Sequence, residues 1–407
     1  MKIIEGGVTA AKGFKSASAA AGIKYQGRTD MAMIFSDKPC RAAGTFTSNL
    51  VKAACVLWDR DIVKRSGKAQ AVVINAGIAN ACTGKEGFMY CQESAQCVEK
   101  ALGIPANHVL VASTGVIGMQ LPIDKIKNGI KEMSKKLDGS VLSGTESAKA
   151  IMTTDTRKKE LAVSFPIGGK KVTIGGMCKG SGMIHPNMCT MLGFLTTDCA
   201  ISRKMLQKAL REDVKDTFNM ISVDGDTSTN DTLLLLANGE AGNPEITEEG
   251  EDFDTFRKAL HTVNETLAKM MAGDGEGATA LFEVKVLHAK SKKQAKTLSK
   301  SVVTSTLTKA AIFGHDANWG RILCALGYSG EKFDPDHMEL SFRSKNKKIL
   351  IYKNGTAVNY SEEKAKEILS ADTVTAIVDI HMGNEQATAW GCDLSYDYVR
   401  INADYRS

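Results

Sequence analysis

"KGSGMIHPNMCTMLGFLTTD", Lys179 to Asp198, passes from a glycine-rich turn through a proline into an apolar run. Gly180 and Gly182 allow a tight backbone, and Pro186 stands four residues before Thr190. The following "TMLGFLTT" then reads as a buried strand opening at Thr190. Outward from this stretch, helical periodicity is clearest at 90–103, 124–137, 202–219, 253–271 and 291–313, with Asp124 and Ser202 as expected N-caps. Strand patterns fall at 71–77, 170–177, 189–198, 278–287, 347–355, 375–380 and 388–402. The two kinds of element come in mixed order without a regular βαβ alternation. That order predicts an α+β fold of packed layers over a doubly wound sheet.

The 407 residues are 43% hydrophobic and 24% charged, ordinary for a globular protein able to bury a large core. No leader-like n-region and h-region opens "MKIIEGGVTA", and no apolar run reaches the ~18 residues of a membrane span, so a cytoplasmic protein without membrane attachment is expected. The net charge of +6 is modest. Its lysines are dispersed through "KEMSKKL", "TRKKE", "SKKQAKTLSK" and "SKNKK" without interleaved aromatics, a pattern of solvated faces that argues against a nucleic-acid partner. Ten cysteines form no CxxC pair and the seven histidines look isolated, so neither a metal site nor a disulfide framework is expected. No phosphate-binding GxxxxGK[ST] occurs and no cofactor is expected. "DGDTSTNDT" (224–232) lacks the twelfth-position glutamate of a calcium loop, and reads as Asp and Asn satisfying their own turn.

The chemistry centres on Cys189 and Thr190. A threonine hydroxyl is a weak nucleophile unless a base sits beside it, and cutting the chain before Thr190 would turn its own α-amino group into that base. A free α-amino group titrates near ~7.7–8.0, where a proton shuttle works well. Read alone, Thr190 is also an ordinary β-branched strand residue and Cys189 a small buried hydrophobe.

The whole motif resembles the self-cleaving centre of the ornithine acetyltransferase family of arginine biosynthesis. Further stretches resemble family signatures in the same order: "GGVTAAKGF" (6–14), "NAGIANACTG" (75–84), "STGVIG" (113–118), "SVDGDTSTNDT" (222–232), "GDGEGAT" (273–279), "NWGRI" (318–322) and "INADYRS" (401–407). The resemblance spans almost the whole chain. It implies a layered α/β arrangement of the family's own type, self-cleaved between Cys189 and Thr190 into an α chain (1–189) and a β chain (190–407) that share the fold and assemble as α2β2. It also implies transfer of acetyl from N2-acetylornithine to glutamate through acetyl-Thr190, with acetyl-CoA as an optional co-substrate.

By the same resemblance Thr114 and Gly115 are the oxyanion residues, and Thr153, Lys179, Thr190, Glu276, Asn402 and Ser407 contact substrate. Lys179 suits a substrate carboxylate and Glu276 the ammonium of ornithine. Taken singly, either is also an ordinary surface charge. His185 is the one histidine near the nucleophile.

Three positions depart from the family pattern: Cys189 where alanine is usual, Ile78 where asparagine is common, and Ala280 where lysine is common. The Cys189 thiol leaves open a cut one residue earlier, with cysteine as the N-terminal nucleophile. Two other functions stay open at this level. One is an N-terminal-nucleophile amidohydrolase or aminopeptidase with water as acceptor; the other is an uncleaved binding protein for an acetylated amino acid.

Overall fold

The computed structural model describes residues 1–185 and 191–404, so Cys189, Thr190 and Ser407 lie outside the described residues. Among the described residues sixteen strands follow one another: β1 (Lys2–Ile4), β2 (Phe14–Ala19), β3 (Met31–Phe46), β4 (Lys68–Ile78), β5 (Val109–Val116), β6 (Lys159–Ile167), β7 (Lys170–Lys179), β8 (Leu192–Thr197), β9 (Ile221–Ser222), β10 (Thr232–Ala237), β11 (Leu281–Ala289), β12 (Glu339–Ser344), β13 (Lys347–Lys353), β14 (Thr356–Ala357), β15 (Thr373–Asp379) and β16 (Glu385–Cys392). They form two compact units, each with its own sheet. The first comprises 1–180, 191–219 and 227–267; the second comprises 181–185, 220–226 and 268–404.

In the first unit the sheet order is β1-β6-β7-β8-β10-β3-β4-β5, with β2 also pairing β3. Alternate residues sort onto its two faces. Met31, Met33, Ala71 and Val73 join the helices Gly84–Leu102 and Ile123–Ser134 in one cluster, while Ala32, Ile34, Val72 and Ile74 pack with Ile62, Val63, Ala148 and Ala150 in another. A sheet covered on both faces explains why "AVVINAG" is apolar almost throughout instead of alternating. The 16-residue β3 is interrupted between Phe35 and Cys40, where the exposed "DKP" falls and Pro39 cannot donate to a ladder. Its first part pairs with β2 and β4, and its last part with β10.

The second unit has the sheet order β14-β13-β12-β15-β11-β16-β9. Phe282, Val284 and Val286 of β11 point into its core while Glu283 and Lys285 alternate away, and the helix Lys292–Thr304 packs on β11 and β16. The molecule is thus a mixed α+β protein of packed layers. Among the described residues no helix is long and apolar enough to cross a membrane, and the nine described cysteines carry no disulfide, with only Cys82 and Cys324 exposed.

Several expected elements need correction. The run 388–402 is not one strand: β16 ends at Cys392, and a helix follows at Tyr396–Ala403. The helix expected over 291–313 is broken at Ser305, whose extended backbone ends one helix while its hydroxyl accepts from Thr308 N to cap the next. Ser202 is an N-cap, accepting from Met205 N, but Asp124 lies inside the first turn of a helix preceded by Pro122. That helix ends near Ser134, and the one expected to reach 219 stops at Asp213.

Candidate active site

Two groups of side chains collect the predicted site residues, one in each unit. In the first, Thr114 and Gly115 lie near the end of β5, and Lys179 is the last residue of β7. Five steps of the sheet order separate these strands, which in a flat sheet at ~4.8 Å per strand would be about 24 Å. Yet Lys179 Nζ stands 3.4 Å from Thr114 Oγ1. The sheet therefore curls, and the interruption of β3 permits it.

Gly115 is dictated by its neighbours. Its φ of +129° is a conformation that side chains rarely adopt, and a Cβ there would sit 2.2 Å from the backbone carbon of Gly77, its register partner on β4. No larger residue fits without moving β4. The adjoining loop is tied by Asn230, whose amide donates to the carbonyls of Ala79 and Ser113.

Lys179 is buried and shares Asp155 with a second lysine. Asp155 Oδ1 accepts from Lys159 Nζ at 2.6 Å and from Gly180 N at 2.8 Å; its Oδ2 accepts from Thr153 N at 3.1 Å and lies 3.9 Å from Lys179 Nζ. Burial pushes the Asp155 carboxyl up, but Lys179, Lys159 and the hydrogen bonds together outweigh it and hold the group at about 2. Asp155 is thus a carboxylate fixing Thr153, Lys159, Lys179 and Gly180 around one point. Nearby, burial pushes Asp231 well above the usual carboxylate range, and Lys179 opposes that only in part. Asp231 immediately precedes β10, whose first residue, Thr232, donates its N–H to Met191 O.

In the second unit Glu276 is 7% exposed, and its Oε2 accepts from Asn402 Nδ2 at 2.8 Å. Its backbone N–H donates to Ser181 O, and a Cβ on Gly182 would lie 2.3 Å from the Glu276 carboxylate. Asp224 accepts from the N–H groups of Met183 and Ile184 and from Tyr398 Oη. It satisfies its own turn through Asp226 N, as expected, and anchors 183–184 besides. His185 Nδ1 lies 3.1 Å from Ser222 Oγ; burial, reinforced by Lys300 and opposed by Asp224, lowers its pKa to about 4, so the ring is neutral near pH 7.

The structure thus brings together Thr114, Gly115, Thr153 and Lys179 in one unit, and Glu276 and Asn402 in the other. Asp155 and Lys159 were missed: "TRKKE" was read as a solvated lysine run, yet the Lys159 side chain is 0% exposed. The available signal was Lys159 itself, standing four residues after Asp155 at the head of β6.

A family model described as the ArgJ family matches residues 15–407. The arginine biosynthesis bifunctional protein ArgJ 1 of Clostridium acetobutylicum is 53% identical over 97% of this chain and 96% of its own length. The chain belongs to the ArgJ family. The arginine biosynthesis bifunctional protein ArgJ of Thermotoga neapolitana is 48% identical over 97% of this chain and 99% of its own. Among solved structures, the protein of that name from Bacillus halodurans is 47% identical, covering 52% of this chain and 97% of that one with a TM-score of 0.50. Full-length relationship at these identities makes the ArgJ fold and family secure, and it agrees with the resemblance read from the motifs.

Proposed function

We propose that this ArgJ chain is a self-processing acetyltransferase of arginine biosynthesis that moves acetyl from N2-acetylornithine to glutamate through acetyl-Thr190. Full-length similarity to the bifunctional ArgJ proteins carries the reading. The Thr114–Lys179–Asp155 group, with Lys179 and Asp155 buried, supports it.

In processing, Thr190 Oγ attacks the carbonyl carbon of Cys189, the acyl group moves from nitrogen to oxygen, and water hydrolyses the ester to leave chains 1–189 and 190–407. The sheet is suited to such a cut. Lys179 of β7 pairs with Leu192 of β8, and β8 is also paired along its length with β10, so cleavage in the connection between β7 and β8 removes none of these ladder bonds. The matched chain of the Bacillus halodurans protein is about half as long as this one, the size expected of a halved chain.

In transfer, the Thr190 α-amino group takes the Oγ proton as Oγ attacks the acetyl carbonyl, then gives it to the departing amine of ornithine. Glutamate's amine attacks the ester and reverses the sequence, so acetyl changes carrier in a ping-pong cycle. Thr114 and Gly115 stabilise the oxyanion of each tetrahedral intermediate; one such donor is typically worth ~2.7–4 kcal/mol. Lys179, held by Asp155, meets the substrate carboxylate. Glu276, held by Asn402, meets the ornithine ammonium, with Thr153 and Ser407 completing the contacts. Acetyl-CoA serves as a second acetyl donor, the chains assemble as α2β2, and the enzyme works in the cytoplasm on these small molecules.

The deciding assay follows ornithine release from N2-acetylornithine with and without glutamate. Acceleration by glutamate with stoichiometric N-acetylglutamate is expected. Release that ignores glutamate and yields acetate would instead make the protein an amidohydrolase.

The C-terminus offers a second test. Asn402, in the last turn of the helix Tyr396–Ala403, holds Glu276 through its side-chain amide, so deleting 402–407 is expected to lower acetyl transfer at least about tenfold while changing stability by only ~1 kcal/mol. A truncated enzyme with full activity would contradict the roles given to Asn402 and Ser407.

A further inference from the structure

Far along the second unit, His288, Asp379 and His381 converge where the parallel strands β11 and β15 end. The two histidines looked isolated in sequence, separated by over ninety residues. In β11 the register with β16 slips between Val286 and Ala289, and His288 takes a left-handed φ of 51°, a bulge that re-aims its side chain. His381 has a matching φ of 48°. The two loops are clamped together by the N–H groups of Met382 and Gly383, which both donate to His288 O.

The nitrogens face one carboxylate. His288 Nδ1 lies 2.8 Å from each Asp379 oxygen, and His381 Nδ1 lies 3.2 Å from Oδ1. The imidazoles stack, with centroids 6.0 Å apart and planes at 14°. Ligand atoms about 2.0–2.1 Å from a tetrahedral or octahedral ion are roughly 2.9–3.4 Å from one another; the His381 edge at 3.2 Å already has that length, and the His288 edge at 2.8 Å is about 0.1 Å short of it. All three ligand atoms lie within 4.8 Å of one another. The rings are 52% and 46% exposed, so they can rotate the remaining distance without disturbing the core.

We propose that His288, Asp379 and His381 form a surface site for one divalent transition-metal ion, of the Zn²⁺, Ni²⁺ or Co²⁺ class, that clips the ends of β11 and β15. Two imidazoles and one carboxylate select borderline ions over Mg²⁺ or Ca²⁺, which take oxygen ligands. Binding uses the Nδ1 lone pairs, so the proton at each Nδ1 must leave or move to Nε2, and acid competes with the metal. The remaining coordination positions belong to water. The site lies outside the acetyl-transfer machinery, and its ion is expected to stabilise the fold without taking part in the reaction.

The test is calorimetric titration of the full chain with Zn²⁺ in a non-chelating buffer. One ion per chain is expected, with affinity falling at least tenfold in His381→Ala and in Asp379→Asn. Zn²⁺ should raise the unfolding midpoint by a few °C in the parent and not in the His288→Ala/His381→Ala double variant. The absorption of Co²⁺ bound to the parent should show nitrogen and oxygen ligation without thiolate charge transfer, a reading independent of any variant. Absence of binding overturns the site and leaves a hydrogen-bonded His–Asp–His group. Unchanged binding in the double variant, or a thiolate spectrum pointing to Cys82 or Cys324, overturns it equally.

Discussion

Thr190→Ala is expected to leave the protein as one uncut chain of 43.7 kDa and to lower acetyl transfer by at least about 10⁴-fold. In the proposed mechanism both effects come from one hydroxyl, the nucleophile in processing and again in transfer. An alanine chain should still fold, because its neighbour β8 is held by β7 and β10 through backbone bonds that need no Thr190 side chain. Thr190→Ser should retain both functions at reduced rate, since it keeps the hydroxyl. Cys189→Ala should cleave normally, since the proposed mechanism gives its thiol no part. An uncut but fully active Thr190→Ala protein would remove the threonine from the mechanism, and a Cys189→Ala chain that fails to cleave would transfer the role to the cysteine.

The second large effect is expected at Asp155. In Asp155→Asn the Lys159 and Lys179 ammonium groups lose the carboxylate they share in a buried setting, and removing one partner of a buried pair costs about 3–5 kcal/mol. Denaturant unfolding should show that loss. Ornithine release should fall with it, because Lys179 and Thr153 are both positioned by this carboxylate. Replacing Lys159 by Met in the Asp155→Asn background should recover part of the stability without restoring activity.

The pH dependence has a fixed sign. The Asp155 carboxyl is held at about 2 when folded, below its ordinary value of ~3.9, so its stabilisation is complete above about pH 4 and is lost as pH falls toward 2. Asp155→Asn should show no such loss from this group in the same window. A variant as stable as the parent at pH 7 would show that the aspartate does not hold the lysines.

What could be read from the sequence followed periodicity. β4, β7 and β11 stand within a few residues of their predicted places because long apolar or alternating runs have one economical arrangement. The run 388–402 failed because "YDYVRIN" is as rich in β-formers as a strand, yet it forms a helix that buries none of its residues. β3 was not recognised at all, since "SDKPC" breaks its apolar pattern at the place where the strand bends.

The site was legible where motifs carried it and illegible where folding made it. Thr114, Lys179 and Glu276 came from local signatures, and the structure buries Lys179 and Glu276. Asp155 and Lys159 could not be told from surface charges, because Lys159 alone within "TRKKE" is buried, where β6 pairs with β7. His288 and His381 looked isolated for the same reason. Only the parallel pairing of β11 with β15 places both beside Asp379.

The most direct measurement is the intact mass of the purified protein under denaturing conditions. Two polypeptides meeting between Cys189 and Thr190 are the expected result, and a masked or acetylated threonine on the second would identify the nucleophile after incubation with N2-acetylornithine. A single uncut chain from folded, active protein would contradict Thr190 as a self-generated N-terminal nucleophile.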